Sequence, residues 1–357
     1  MKLLLLGNNS VHTYNFYQLI RGYFDDILVL TDKKEGACEG LPIQVIDYAA
    51  TPLKMFKAYR QTRRIIQEFQ PDIIHGQQVN KALWFAVRAK GRIPIISTAW
   101  GSDILVMPRK NILYKKVVQY VLSNSDYLTS DSVYMAEEMQ RLARCKHDIV
   151  IANFGIEPHE PTADKANIIY SNRLHEKLYR IEAVIRAFAT FYAKHENWRL
   201  VIGATGSETD HLKSLAKELG IEKQVDFVGW LDEPTNFLYY SQAKIWVSIP
   251  ESDATSISLL EAMSMGCVPV VSDLPANREW ITDGDNGLIV RDVNTDFFSE
   301  AMQRINAAEA AELNRKIVAE KATKEANRKI FIAIYDKVFA DLPQKRGKNN
   351  NAFRAIP

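Results

Sequence analysis

The sequence predicts an α/β protein with two parallel β-sheets, one in each half of the chain. Three observations carry this prediction. Short apolar runs alternate with amphipathic helical stretches from end to end. The alternation restarts after a polar, proline-containing segment at 155–164 (GIEPHEPTAD). The 357 residues are enough for about two domains. Because 47% of the residues are hydrophobic and 25% charged, wholesale disorder and fibrous repeats are excluded.

Strands that alternate with helices form right-handed βαβ units and hence parallel sheets. In the first half, strands are predicted at 2–6, 27–30, 43–46, 73–75, 94–97, 127–129 and 149–152, with helices including 53–69 and 81–88. In the second half, strands are predicted at 167–170, 199–203, 225–228, 245–248, 268–271 and 287–290, with helices including 181–194, 210–219, 257–265 and 296–305. We therefore expect domains at 1–155 and 156–322, a further helix at 323–342 and a flexible basic tail at 343–357.

Charge is unevenly distributed between the two halves. Residues 1–155 carry 20 Lys and Arg against 14 Asp and Glu, whereas residues 156–344 carry 21 against 29. A basic first domain is compatible with an anionic membrane surface, and equally with an ordinary solvated surface. No apolar run reaches the length of a membrane span or a signal-peptide core, and three distant cysteines suggest reduced thiols. A cytoplasmic protein, peripheral at most on the membrane, is expected.

The segment 249–272 (IPESDATSISLLEAMSMGCVPVVS) is the most informative part of the sequence. A strand ends near Pro250, a small polar loop follows, and a helix starts near Ser256 or Ile257, after Thr255. Free amide groups and the helix dipole at such a start suit a phosphate group. An ordinary strand, loop and capped helix would give the same pattern, so the residues alone leave both interpretations open.

This segment resembles the signature of the retaining GT-B glycosyltransferases of family 4, also called group 1. Glu261-Ala262-Met263 and the run from Gly266 to Val271 match, although one extra residue precedes the proline. The family has a second glutamate eight positions earlier, where this chain has Asp253. The resemblance implies that Glu261 holds the ribose hydroxyls of a nucleotide-diphosphate sugar and that Asp253 contacts the sugar.

Other segments resemble the same family in matching order. They are 200–207 (LVIGATGS), 225–230 (VDFVGW, ending at Trp230 beside the donor-base pocket), 286–290, 70–76 (QPDIIHG) and 153–157. The segment 169–177 (IYSNRLHEK) resembles the family's Arg and Lys pair, which grips the donor diphosphate. The resemblance assigns this role to Arg173 and to Lys177, which is one residue closer than usual. It also implies that the last helix crosses back to the first domain.

The first domain departs further from the family. Many members have a histidine before the glycine of the loop 97–104 (STAWGSDI), whereas this chain has Trp100. Asp103 is a candidate for orienting a sugar, or alternatively a helix N-cap. Asn9 and His12 follow the first strand and are candidate acceptor-binding residues. This loop lacks the G-x-G-x-x-G pattern, which argues against a nicotinamide cofactor.

A metal is not expected. Asp283-Gly284-Asp285 matches a D-x-D metal motif, but D-G and N-G dipeptides are turn formers, so a turn is the better interpretation. No His and Cys cluster has metal-ligand spacing. We predict no cofactor and no nucleic-acid partner. Two basic amphipathic stretches, 53–69 and 107–122, could lie on an anionic bilayer, or pack on the core with a basic outer face.

The sequence thus predicts a retaining, metal-independent glycosyltransferase. It would move a sugar from a nucleotide-diphosphate donor to a glycan or lipid-linked acceptor in cell-surface polysaccharide synthesis. Asp253, Glu261 and Arg173 are the candidate catalytic residues, and Lys177, Trp230, Thr255, Ser256 and Ile257 complete the candidate donor site. Two alternatives stay open: a GT-B nucleotide-sugar epimerase, and a nucleotide-sugar-binding protein without catalysis.

Overall fold

The computed structural model describes residues 1–48, 51–145 and 148–341, and within them two parallel sheets. The first sheet has seven strands in the order β3-β2-β1-β4-β5-β6-β7. They are β1 (Lys2–Leu6), β2 (Asp26–Thr31), β3 (Ile43–Val45), β4 (Ile73–Gln77), β5 (Ile95–Ala99), β6 (Tyr127–Ser130) and β7 (Ile149–Ile151). Every pairing is parallel, from Lys2 against Asp26 onward.

The second sheet has six strands in the order β10-β9-β8-β11-β12-β13, again all parallel. They are β8 (Ala166–Ser171), β9 (Arg199–Gly203), β10 (Val225–Gly229), β11 (Ala243–Ser248), β12 (Val268–Ser272) and β13 (Leu288–Val290). The strand order reverses between β8 and β11, as it does between β1 and β4. In open α/β sheets a ligand crevice forms beyond the carboxyl ends of the strands at such a point.

Helices cover both faces of each sheet. In the first half they are α1 (Val11–Ile20), α2 (Pro52–Phe69), α3 (Lys81–Ala89), α4 (Ser102–Leu105), α5 (Met107–Lys110), α6 (Ile112–Asn124) and α7 (Val133–Leu142). In the second they are α8 (Ile181–Tyr192), α9 (Thr209–Glu218), α10 (Glu233–Gln242), α11 (Ile257–Ser264), α12 (Pro275–Arg278), α13 (Phe297–Arg304), α14 (Ala307–Lys321) and α15 (Lys324–Asp341). None of the helices in these ranges is long and apolar enough to cross a membrane.

The apolar runs of the sequence are strands buried on both faces. In β1, Leu3 and Leu5 pack into one cluster of the first domain, and Leu4 and Leu6 pack into the cluster on the opposite face. Successive side chains of a strand point to opposite faces, so a strand covered by helices on both sides is apolar throughout. This is why a run of four leucines forms a strand here.

Two chain segments cross between the domains side by side. The amide of Ile156 donates to the Ala322 carbonyl, and the amide of Lys324 donates to the Ile156 carbonyl. Gly155 has a φ of +67°, and a Cβ there would lie 2.5 Å from the backbone of Thr323. Only glycine fits this conformation and this close approach. The two crossings therefore fix each other.

Helix α15 returns to the first domain after the second crossing. Its buried face carries Phe331, Ile334, Tyr335 and Val338, which join the core cluster formed by β1 and α1. The Tyr335 hydroxyl bonds the Nδ1 of His75 at 2.7 Å, and the His75 Nε2 bonds Thr98 at 2.6 Å. Burial lowers the pKa of His75 to about 3, so the imidazole is neutral in this chain of hydrogen bonds.

The structure confirms the predicted fold class and differs from the sequence prediction in detail. All thirteen predicted strands form, with ends shifted by at most two residues. The stretch 107–122 is not one helix, because Asn111 ends α5 and caps α6 by accepting the amides of Leu113 and Tyr114. The predicted tail at 343–357 lies outside the described residues. The cysteines Cys38, Cys145 and Cys267 are free thiols.

We expect Phe331→Ala to lower the free energy of unfolding by about 3–5 kcal/mol, the usual cost of removing a buried Phe side chain. Phe331 is fully buried and meets the Phe16 ring edge to face, with ring centroids 4.9 Å apart. Urea denaturation measures the change. The control is Lys329→Ala on the exposed face of the same helix, expected within about 0.5 kcal/mol of wild type. Equal effects of the two variants would contradict the packing of α15 on the first domain.

Candidate active site

The candidate site is a cleft between the carboxyl ends of the two sheets. It consists of two adjoining cavities of about 540 and 550 Å³, which share Asn172, Trp230, Ile257 and Ser258. The loop after β8 and the loop after β11 supply most of its second-domain wall. Both loops leave the sheet where its strand order reverses, which is the position that the topology favours for a ligand.

The start of α11 forms one wall of the cleft. Ser256 occupies the N-cap position, but its hydroxyl makes no capping bond to the helix. It accepts instead a hydrogen bond of 2.8 Å from Nη1 of Arg173. The first amides of a helix have no partner inside the helix, and the helix dipole is positive there. Together with the guanidinium, the amino end of α11 is therefore suited to an anion.

Arg173 joins the two loops of the second domain. Its Nη2 donates to Oδ2 of Asp253 at 2.7 Å, and its guanidinium lies over the Tyr179 ring at 4.6 Å. Burial raises the pKa of the Asp253 carboxyl, and the charge of Arg173 opposes that shift. The Nε of Arg173 is buried and has no hydrogen-bond partner among the described residues. The guanidinium thus keeps an unused donor.

Glu261 lies one turn inside α11, in the cavity next to that of Arg173. Its Oε2 accepts a hydrogen bond of 2.9 Å from the Tyr240 hydroxyl. The same hydroxyl accepts a bond of 2.8 Å from the Asn172 amide, which precedes Arg173 in the chain. Burial raises the pKa of Glu261 to about 7. The shift favours the protonated carboxyl, whose oxygens can still accept hydrogen bonds from ligand hydroxyl groups.

The first domain contributes an aromatic wall. The rings of Trp100 and Phe154 are stacked at 3.7 Å between centroids, and His12 stacks with Phe154 at 5.5 Å. The indole nitrogen of Trp100 donates to Oε1 of Gln77 at 2.8 Å. His12, Trp100 and Phe154 all line the cleft. Because Trp100 is held on its edge and one face, its orientation in the cleft is fixed.

Two predicted acceptor-binding residues have other contacts. Asp103 is buried, and its carboxylate accepts the amides of Val79, Trp100 and Gly101 at 2.8 to 3.2 Å. Burial raises the pKa of Asp103, and these backbone bonds oppose the shift. Asn9 is also buried. Its side-chain amide donates to the carbonyls of Lys33 and Lys34 and accepts the amide of Cys38. Both side chains hold loops in place, and their predicted roles toward the acceptor stay predictions.

Of the remaining predicted donor residues, some line the cleft and one lies in a different groove. Trp230 is 75% exposed at the junction of the two cavities, and Ile257 lines both. Lys177 lies in a separate groove with His175 and Glu176, because the short turn from Lys177 to Tyr179 directs it away from Arg173. The predicted diphosphate contact of Lys177 stays a prediction. Sequence spacing alone could not give its direction.

The domains are in contact beside this site. The Thr255 hydroxyl, predicted to meet the donor, donates to the Asp131 carbonyl at 2.8 Å. A Cβ on Gly101 would lie 3.1 Å from that of Ala254, so the two loops nearly touch. The carboxylate of Glu279 accepts the amides of Val133 and Tyr134 at 2.9 Å, which caps α7 from the other domain. These bonds define the width of the cleft.

The D-x-D segment forms a turn. Asp283 accepts the Ile289 amide and makes ion pairs with Arg291 and Arg304. Its oxygens therefore face protein donors. Within the ranges 1–48, 51–145 and 148–341, no group of three or more His, Cys, Asp and Glu side chains is arranged to hold a metal ion.

Three residues in or beside the cleft were not identified from the sequence: Asn172 and Asp131, which line it, and Tyr240, which is buried against Glu261. Asn172 and Asp131 each directly follow a strand at the carboxyl edge of its sheet. Position at that edge was therefore a signal that could have found both. Tyr240 lies on α10, and its hydroxyl donates a hydrogen bond to Glu261. No local pattern of the sequence indicates this contact.

Two parallel-sheet α/β domains facing across a cleft define the class of GT-B proteins. The family model "Glycosyl transferases group 1" matches residues 155–325, and "Glycosyl transferase 4-like" matches residues 2–132. The two models cover one domain each. The chain belongs to the group 1 glycosyltransferases of the GT-B fold.

Individual proteins resemble the chain over most of its length. The N-acetyl-alpha-D-glucosaminyl L-malate synthase of Bacillus anthracis is 24% identical over 72% of this chain and 71% of its own. The alpha-monoglucosyldiacylglycerol synthase of Streptococcus pneumoniae is 23% identical over 74% and 67%. The crystal structure of Anabaena Alr3699/HepE in complex with UDP superposes with a TM-score of 0.80 at 15% identity, over 94% of this chain and 100% of that chain. At that identity the superposition shows the fold.

The raised pKa of Glu261 predicts a pH-dependent stability. The protonated form contributes stability that is fully present below the ordinary pKa of 4.5 and is lost as the pH rises through about 7. Glu261→Gln cannot ionise and avoids that loss. From pH 4.5 to 8 the variant should therefore gain about 3 kcal/mol in unfolding free energy relative to wild type.

Urea denaturation at several pH values between 4.5 and 8 measures this difference. Glu251→Gln, on the exposed loop nearby, is the control and should follow wild type at every pH. A constant difference between Glu261→Gln and wild type would show that Glu261 is not a buried carboxyl.

Proposed function

We propose that the protein is a retaining glycosyltransferase. It transfers a sugar from a nucleotide-diphosphate donor to a glycan or lipid-linked acceptor in cell-surface polysaccharide synthesis. The observation that carries the proposal is the joining of Arg173, the amino end of α11 and Glu261 along one cleft. An anion site and a carboxyl that accepts hydroxyl groups stand one helical turn apart. A nucleoside diphosphate presents both of these chemistries.

In this proposal the diphosphate lies against the amino end of α11. The Nε of Arg173 has no partner among the described residues, and it would donate to a phosphate oxygen. The ribose hydroxyls would donate to Glu261, with Trp230 beside the base. The sugar then lies toward Asp253, in the cavity that Trp100 and Phe154 line.

Negative charge grows on the diphosphate as its bond to the sugar breaks. Arg173 and the helix amides would stabilise that charge because they are already oriented before the reaction. Trp100 has no group that removes a proton, so the departing phosphate would accept the proton of the acceptor hydroxyl. Attack from the face that the phosphate leaves gives retention of the anomeric configuration. Asp253 would hold the sugar for that attack.

The proposed donor chemistry uses no metal. The charge of the diphosphate is met by Arg173 and α11, and the D-x-D segment is engaged in its own ion pairs. Uridine donors are the first to test, since the superposed Anabaena structure is titled as a complex with UDP. The identity of the sugar depends on a few contacts in the cavity of Asp253.

A membrane-bound acceptor is proposed from the surface of the first domain. On α2, Leu53 and Phe56 are 65% and 57% exposed, next to Lys57, Arg60 and Arg64. Apolar groups that protrude among cations suit an anionic lipid surface. A relative with a similar sequence is named as a diacylglycerol glycolipid synthase. The enzyme would therefore work in the cytoplasm as a peripheral membrane protein.

Glu261→Ala should abolish binding and turnover of the nucleotide sugar, because the ribose loses its hydrogen-bond acceptor.

Asp253→Asn should lower transfer at least tenfold while changing the affinity for the free nucleotide by less than threefold. Calorimetric titration and a transfer assay measure the two quantities. An equal loss of both in Asp253→Asn would mean that Asp253 does not contact the sugar.

A thermal-shift screen with UDP-, GDP-, ADP- and dTDP-sugars, each with and without a chelator, tests the donor class. A ligand at 100 times its dissociation constant stabilises the folded state by about 2.7 kcal/mol, which raises the melting temperature by several degrees. The shift should survive the chelator and vanish in Glu261→Ala. No shift with any sugar nucleotide would contradict the proposed function. Release of a C2 epimer without transfer would favour the epimerase, and binding without turnover the non-catalytic protein.

Charge reversal on α2 tests the membrane proposal. The double variant Lys57→Glu and Arg60→Glu should bind vesicles with 30% phosphatidylglycerol at least tenfold more weakly than wild type. The reason is that each cation near an anionic bilayer contributes about 1 kcal/mol. The double variant Lys213→Glu and Lys217→Glu, on α9 of the second domain, is the matched control. Equal vesicle binding by the two double variants in a sedimentation assay would contradict the proposal.

A further inference from the structure

Asp131 is a cleft residue without an explained role. It directly follows β6, at the carboxyl edge of the first sheet. It lines the cleft that contains Arg173 and Asp253, and also a cavity behind it at the domain interface. Its backbone carbonyl accepts the Thr255 hydroxyl of the other domain at 2.8 Å. The backbone of Asp131 is therefore held against the donor-binding loop.

The side chain of Asp131 is buried but incompletely satisfied. The residue is 4% exposed, and its Oδ1 has no hydrogen-bond partner among the described residues. An acceptor buried without a donor costs free energy. Asp103, which is buried in the same domain, has three backbone amides on its carboxylate. By comparison, Oδ1 of Asp131 lacks a hydrogen-bond donor, and a ligand in the cleft would supply one.

The surroundings limit what that donor can be. Burial raises the pKa of Asp131 well above its usual range. The charges of Asp103, Asp253 and Glu279 raise this pKa further, whereas a hydrogen bond with the Ser132 side chain lowers it. These groups lie on α4, on the loop after β11, directly after α12 and at the start of α7. A second anion would be repelled here, whereas a neutral hydroxyl group would be accepted.

We propose that Asp131 binds a hydroxyl group of the neutral sugar that occupies the cleft, from the first-domain side and opposite Asp253. This inference rests on the proposed function and specifies the type of sugar that the proposed enzyme would bind. The hydroxyl belongs either to the transferred sugar of the donor or to the acceptor. In both cases Asp131 recognises an uncharged sugar, and a hexuronate is disfavoured by the surrounding carboxyls.

The test compares Asp131→Leu and Asp131→Asn with wild type. The Leu side chain fills a similar volume without polar atoms, whereas Asn keeps an oxygen acceptor in a neutral group. Asp131→Leu should lower kcat/KM for transfer by between about 10- and 100-fold, the range expected for losing a hydrogen bond in a buried site. Asp131→Asn should stay within threefold at pH 6. The dissociation constant of the free nucleotide should be unchanged in both variants.

Separate titrations identify the source of the hydroxyl. A rise in KM for the donor alone assigns the contact to the transferred sugar, and a rise for the acceptor alone assigns it to the acceptor. The ratio of Asp131→Asn to wild-type kcat/KM should increase from pH 6 to 9. The reason is that ionised wild-type Asp131 opposes the negative charge that develops on the leaving group, whereas Asn cannot ionise.

The control is Asp126→Asn, at the amino end of the same strand, where the carboxylate is paired with Lys90. It should keep wild-type kcat/KM. Wild-type activity in Asp131→Leu, or an equal loss of free-nucleotide affinity, would overturn the inference. If Asp131→Leu does not fold, a pH-independent ratio for Asp131→Asn would overturn it. If wild type binds no sugar nucleotide, the proposed function itself fails, which is a different result.

Discussion

The site depends on the paired crossing of the chain between its two domains. Ile156 and Thr323 pair as a parallel β-bridge. Only a glycine at position 155 lets the two backbones approach this closely. Two crossings held together restrict the directions in which the domains can move. They bring α15 onto the first domain, where Tyr335 and Phe331 complete its core. The carboxyl edges of the two sheets face each other as a consequence.

The opposed edges contribute different chemistry to one cleft. The second domain supplies the cation, the helix start and the two carboxyls that meet the nucleotide in our proposal. The first domain supplies an aromatic wall and the Asp131 carboxyl. In our proposal neither set is a complete site for sugar transfer, because the donor and the acceptor would be bound from opposite sides. The contacts of Thr255 and Glu279 across the interface therefore control whether the two sets are within reach of one substrate.

The sequence was sufficient to predict the fold and the grouping of Arg173, Asp253 and Ser256, and insufficient for the direction of individual side chains. Most of the strands are buried on both faces and leave continuous apolar runs, which is why these could be found. Arg173, Asp253 and Ser256 could be brought together because strand ends at a switch point share one edge of a sheet. Lys177, Asp103 and Asn9 face elsewhere, since a short turn or a nearby backbone amide determines the direction of a side chain. Such choices depend on tertiary contacts that no local pattern encodes.

The electrostatics of the cleft explain why so many acids can surround a site for an anionic donor. Asp103, Asp131, Asp253 and Glu261 all have raised pKa values, and burial is the first cause in each case. A carboxyl that stays protonated adds no negative charge beside a diphosphate and can still exchange hydrogen bonds with hydroxyl groups. Burial thus shifts each of these carboxyls toward its neutral form, which reduces the negative charge that the cleft would otherwise carry. Arg173 opposes this shift at Asp253. In our proposal the guanidinium and the amino end of α11 therefore meet the charge of the diphosphate and of this one carboxyl.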